Sequence, residues 1–139
     1  MINRALLVIT HGNFGIEIVK SAEMIMGPQE DVTALALKPG ESVDDLRGEA
    51  VKVVEANTEK GMETIVLCDL LGGSPSNVGL YLLSRGVKHI FTGLSLPMLI
   101  EMLQFYKLEE DIESLLSSVK QTAIDGVHIL DIDFMKKKS

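Results

Sequence analysis

Two residues stand where chemistry is easiest to place in this 139-residue chain. They are His11, inside ALLVITHGNFG, and Asp69, which closes ETIVLCD. Each follows a short apolar run of strand character, so each lies where a strand ends. A carboxylate that accepts the Nδ1 proton of an imidazole fixes its tautomer and leaves the Nε2 lone pair free to attack. Asp69 is followed by LLGGSPSN, a loop that runs into a helical pattern. Glycines there let backbone N–H groups approach a ligand, and a helix N-terminus favours an anion. Ser74 adds a hydroxyl donor. Together these groups suit the capture of a phosphoryl group on histidine.

Each residue alone has a plainer reading. A histidine at a strand end is commonly a solvated loop residue, an aspartate there can cap the next loop, and Gly-Gly-Ser-Pro is a turn. GGSPSN lacks the Gly-Lys-Ser/Thr of a P-loop, which argues against a nucleotide. A metal site needs a third ligand beside His11 and Asp69, and none is evident. His89 and His128 sit in or beside strand patterns without a polar cluster, where core or edge packing is their expected role. Spacing alone therefore leaves the site open.

The elements that must position these residues alternate. ALLVIT (5–10) reads as a strand apolar on both faces, as parallel strands covered by helices are. Ile16, Ile18, Val19, Ala22, Ile25 and Met26 follow at helical spacing and stop at Gly27-Pro28. DVTALAL is a second strand, and Ser42 caps a helix with Asp44 and Asp45 in its first turn. ETIVLCD is the third strand, followed by a helix through Val78, Leu80, Leu82 and Leu83 to Gly86. VKHIFTG is a fourth strand. SLPMLIEMLQFY and EEDIESLLSSVKQTAID are helices, and GVHILDI a last strand. The pattern predicts one α/β domain over 1–139, an open, mainly parallel sheet with helices on both faces. Such sheets bind ligands beyond the carboxyl ends of their strands, where strand order reverses. If strands one and three are neighbours, His11 and Asp69 meet there.

Composition narrows the partners. Lys+Arg number 13 against 20 Asp+Glu, a net charge of −7, which speaks against nucleic acid. Three lysines in the terminal MKKKS are read as a solvated end. The single cysteine, Cys68, excludes an internal disulfide and fits a buried strand. The N-terminal apolar run is too short for a signal peptide and no stretch reaches membrane-span length, so a cytoplasmic location is expected.

Three ordered stretches carry a resemblance: LLVITHGNFGIEIVKSAEMIMG, CDLLGGSPSNVGLYL and GLSLPMLIEML. Together they resemble the IIA component of the mannose family of the bacterial phosphoenolpyruvate-dependent sugar phosphotransferase system, from about Ala5 to Asp131. The resemblance implies that His11 is phosphorylated by the histidine-containing phosphocarrier protein and passes the group to a separate IIB component. It implies that Asp69 holds the imidazole, and that Ser74 with the amides around Gly72 and Gly73 cradles the phosphate. Membrane IIC and IID components would be served indirectly, with neither cofactor nor metal. Family members often carry a polar and an aromatic residue after the aspartate. Here Leu70 and Leu71 stand there, which bears on the docking rim rather than the cradle. The phosphotransfer subunit of dihydroxyacetone kinase is similar in fold and histidine, and a phosphorylation-sensing regulatory module is a further alternative.

GVHILDI follows two consecutive helices, so its return to the sheet need not be parallel. An apolar strand left unpaired is an exposed edge, and it must pair with something. It can pair within its own chain. The resemblance implies instead an antiparallel edge strand swapped between the subunits of a homodimer.

Overall fold

The computed structural model describes residues 1–138. The chain runs β1 (Arg4–His11), α1 (Phe14–Met26), β2 (Val32–Leu37), α2 (Val43–Glu59) and β3 (Glu63–Cys68). Then come α3 (Ser74–Leu82), a 3-10 turn (Leu83–Arg85), β4 (Ile90–Phe91), α4 (Leu96–Phe105), α5 (Ile112–Asp125) and α6 (Ile132–Lys138). The sheet has the order β2-β1-β3-β4, and every described pairing is parallel. The expected parallel α/β architecture is therefore present, with helices on both faces.

Alternation along the strands sends side chains to two cores. Leu6 and Val8 of β1, with Ile65 and Leu67 of β3, pack against α1, α4 and α5. Leu7 and Ile9, with Val66 and Cys68, pack against α2 and α3. The central strands are covered on both sides, so their apolar runs need no polar face. Burying one such Leu or Ile contributes about 1.5–3 kcal/mol. Ser42 caps α2 as expected, accepting from the N–H groups of Asp44 and Asp45 at 3.1 and 3.3 Å.

β4 is much shorter than the expected strand over 87–93. It lies at the edge of the sheet with one neighbour, so its ladder reduces to Val66↔Ile90 and Leu67↔Phe91. The segment expected as the last strand pairs with no strand among the described residues of its own chain. Val127 and Ile129 are 82% and 92% exposed, and His128 is exposed with them. The helix α6 that follows was not expected from the sequence. No helix among the described residues is long and apolar enough to cross a membrane.

Candidate active site

The first crossover carries the chain from β1 to β2, and the next brings β3 to the other side of β1. Strand order thus reverses between β1 and β3, and sheets of this kind bind ligands beyond the carboxyl ends of the strands at such a point. Ile9 of β1 is level with Cys68 of β3. His11 and Asp69 lie just past that level.

They meet there. His11 Nδ1 lies 2.8 Å from Asp69 Oδ2, and the main-chain N–H of His11 donates to the same oxygen at 2.9 Å. Asp69 Oδ1 accepts from the Leu70 N–H at 2.9 Å. Burial pushes the Asp69 carboxyl up. The donors from the His11 main chain, the His11 ring and Leu70 outweigh it and hold the group below its ordinary value. An ionised carboxylate only accepts, so the ring proton is assigned to Nδ1 and the Nε2 lone pair is free. The side chain of His11 is 50% exposed, against 11% for Asp69. The ring is held through Nδ1 and remains half exposed.

Main-chain bonds hold both residues. Gly12 N–H donates to the Leu37 carbonyl at 2.7 Å, tying the exit of β1 to β2. Gly93 N–H donates to the Asp69 carbonyl at 3.1 Å, fixing the exit of β3 from the other side. Thr10, buried and unremarked in the sequence reading, closes the next turn. Its hydroxyl accepts from Gly15 N–H at 2.8 Å and donates to the Gly12 carbonyl at 3.3 Å. A hydroxyl ending an apolar strand directly before His-Gly is the signal that could have found it, because a buried hydroxyl must be hydrogen-bonded.

The glycine loop reaches the imidazole. A Cβ on Gly73 would lie 2.7 Å from His11 Cε1 and 3.3 Å from Nε2, so no larger residue fits without moving the ring. Gly73 caps α3, and the first helical N–H with an intrachain acceptor is that of Asn77, 3.0 Å from the Gly73 carbonyl. The N–H groups of Gly73 and Ser74 find no acceptor among the described residues, and neither does the Ser74 hydroxyl. These are the orphan donors of a helix start, aligned with its positive end. The Gly72 N–H, by contrast, donates inward to the Ser76 hydroxyl at 3.0 Å. Ser76 is the second residue that the sequence reading missed.

The other histidines stand apart. His89, beside β4, has Nδ1 3.9 Å from Glu63 Oε1, outside hydrogen-bond range. Cys68 is buried, and burial, reinforced by the Asp69 charge, pushes its thiol up to about 12, so it is no nucleophile. Among the described residues no group of His, Cys, Asp and Glu has the arrangement of a metal site.

Comparison with known proteins identifies the family. The family EIIA-man, PTS system fructose IIA component, matches residues 5–120. The PTS system mannose-specific EIIAB component of Escherichia coli is 29% identical over 128 residues, 91% of this chain. The chain spans only 39% of that protein's length. The PTS system sorbose-specific EIIA component of Klebsiella pneumoniae is 33% identical over 93 residues, 66% of this chain and 67% of its own. The crystal structure of phosphotransferase system component EIIA from Streptococcus agalactiae superposes with a TM-score of 0.80 at 32% identity, covering 96% of this chain and 98% of that one. The chain belongs to the EIIA-man family, the IIA components of the phosphotransferase system.

Proposed function

We propose that His11 accepts a phosphoryl group from the histidine-containing phosphocarrier protein and passes it to a IIB component during sugar uptake. The observation that carries this reading is the 2.8 Å contact between His11 Nδ1 and Asp69 on a half-exposed ring whose Nε2 lies beside Gly73. The Nε2 lone pair attacks phosphorus, an N–P bond forms, and the N–P bond of the donor breaks with its electron pair returning to the donor imidazole. The His11 ring keeps its Nδ1 proton and becomes an imidazolium, which the Asp69 carboxylate stabilises. The phosphoryl oxygens meet the N–H groups of Gly73 and Ser74 and the Ser74 hydroxyl. Exchange between two imidazoles is near isoenergetic, so positioning and electrostatic stabilisation suffice. A net charge of −7 suits a basic carrier. Incubating the chain with phosphoenolpyruvate, the general phosphotransferase proteins and a IIB component tests the reading. Acid-labile label on this chain that chases to IIB is expected; acid-stable label, or none, overturns it.

The same proposal includes a homodimer. A groove of about 800 Å³ runs beside β4, lined by Ile90, Phe91 and Met98 with Leu116, Lys120 and Ile124 of α5. The apolar segment 127–131 of the same chain stands exposed and unpaired. A second subunit's segment laid along the free edge of β4 would complete the sheet and cover both. Ile129→Asp should convert the dimer to monomer by sedimentation, and an unchanged dimer would show that this segment does not hold the subunits.

A further inference from the structure

Ser76 carries a hydroxyl into a place that is 1% exposed, at the third position of α3. It accepts from the Gly72 N–H at 3.0 Å and donates to the Gly73 carbonyl at 2.9 Å. One side chain thus closes both ends of the Gly72–Gly73 pair, whose first member has φ +98°. That turn is the wall of the site, because Gly73 lies against Cε1 and Nε2 of His11. With the Gly72 N–H committed to Ser76, the N–H groups of Gly73 and Ser74 remain without an acceptor among the described residues.

We propose that Ser76 is a positioning residue: its buried hydroxyl sets the Gly72–Gly73 turn against His11 and so aims the Gly73 and Ser74 donors at a phosphoryl group on Nε2. The inference rests on the reading of His11 as phosphoryl acceptor. Ser76 itself touches no reacting atom, since its hydroxyl is enclosed and already acts as both donor and acceptor. Its effect runs through geometry. Displacing a transfer site by a fraction of an ångström to about 1 Å costs up to about 10²-fold in rate.

Two variants of the full chain test this. Ser76→Ala removes the hydroxyl, and Ser76→Cys keeps its place with a weak hydrogen-bonding group. In the unphosphorylated protein, the Gly72 amide should exchange with solvent about tenfold faster in Ser76→Ala, as loss of one hydrogen bond predicts. The His11 ring resonances should shift while amides of β1 and β3 keep their protection. In the transfer assay, kcat should fall about tenfold with KM for the phosphocarrier unchanged, because no docking surface is touched. Ser76→Cys should move in the same direction by less. Faster Gly72 exchange with wild-type kcat would make the hydroxyl a structural clip only and overturn the proposal. So would unchanged Gly72 exchange, or a raised KM with wild-type kcat. If the wild-type chain accepts no phosphoryl group, the functional reading fails by itself. The Gly72 exchange and His11 ring signals then still decide whether Ser76 sets the turn.

Discussion

At the amino-terminal end of β1, Arg4 is 5% exposed and commits its guanidinium to main-chain carbonyls beyond α4. It donates to Tyr106 at 2.9 Å, to Glu109 at 2.6 Å and to Glu110 at 3.4 Å. At the carboxyl end of the same strand, Asp69 reaches across from the end of β3 and gathers N–H groups as Arg4 gathers carbonyls, but it also takes the ring of His11. Both ends satisfy a charge with backbone dipoles. The difference lies in what is left over. Around Arg4 the guanidinium is committed to three main-chain carbonyls, so the cluster can only stabilise. Beside Asp69 a half-exposed imidazole keeps one nitrogen unused, next to helix-start donors that are also unused among the described residues. Free capacity at a fixed position marks the end able to do chemistry.

His11→Ala breaks the comparison at its reactive end and has the largest expected effect, complete loss of phosphoryl labelling. His89→Ala and His128→Ala should label normally, because neither ring has a carboxylate within hydrogen-bond reach. Label retained in His11→Ala would move the reactive nitrogen elsewhere. Asp69→Asn comes next. It keeps the shape but loses the charge that stabilises the imidazolium, and transfer should slow by about 10²–10⁴-fold. Rapid-quench labelling measures it, and a wild-type rate would make the carboxylate a structural cap.

Arg4→Met tests the other end. Loss of charged hydrogen bonds to these carbonyls should cost about 1.5–3 kcal/mol in urea unfolding. Transfer per folded molecule should be unchanged. A slowed transfer with stability intact would mean that the two ends are coupled through β1.

The sequence made the reactive end more legible than the stabilising one. Strand–helix alternation placed β1 and β3, and the rule for strand carboxyl ends then selected His11 and Asp69. That Ser42 caps α2 was readable from the aspartates behind it. Arg4 was not readable, because its partners are carbonyls 102 to 106 positions away and main-chain acceptors leave no mark on sequence. Ser76 was hidden for a related reason. GGSPSN shows two serines, and only the fold turns one hydroxyl inward and leaves the other at the helix mouth. The short β4 and the unpaired 127–131 segment have a third cause. Strand propensity reports what a segment favours, whereas a ladder also requires a neighbour.

The smallest expected effect sharpens the comparison by pH. Burial raises the Asp69 carboxyl, but the His11 and Leu70 donors outweigh it, and the net direction is downward. A group whose folded-state value is depressed adds stability above its unfolded value, near ~3.9 for aspartate, and loses it as pH falls through the folded value. Other carboxylates titrate in the same range, so the informative quantity is the difference between wild type and Asp69→Asn. That gap in urea midpoint should be steady near about pH 7 and narrow progressively below about pH 4. Cys68 adds nothing to the curve, since its thiol, held up to about 12, stays protonated throughout. Arg4→Met provides the contrast: it removes no carboxyl group, so its deficit should stay constant over the same span. A gap that widens toward acid would mean that burial outweighs the hydrogen bonds at Asp69. The carboxylate would then be held against its preference, and the two ends of β1 would differ in sign as well as in exposure.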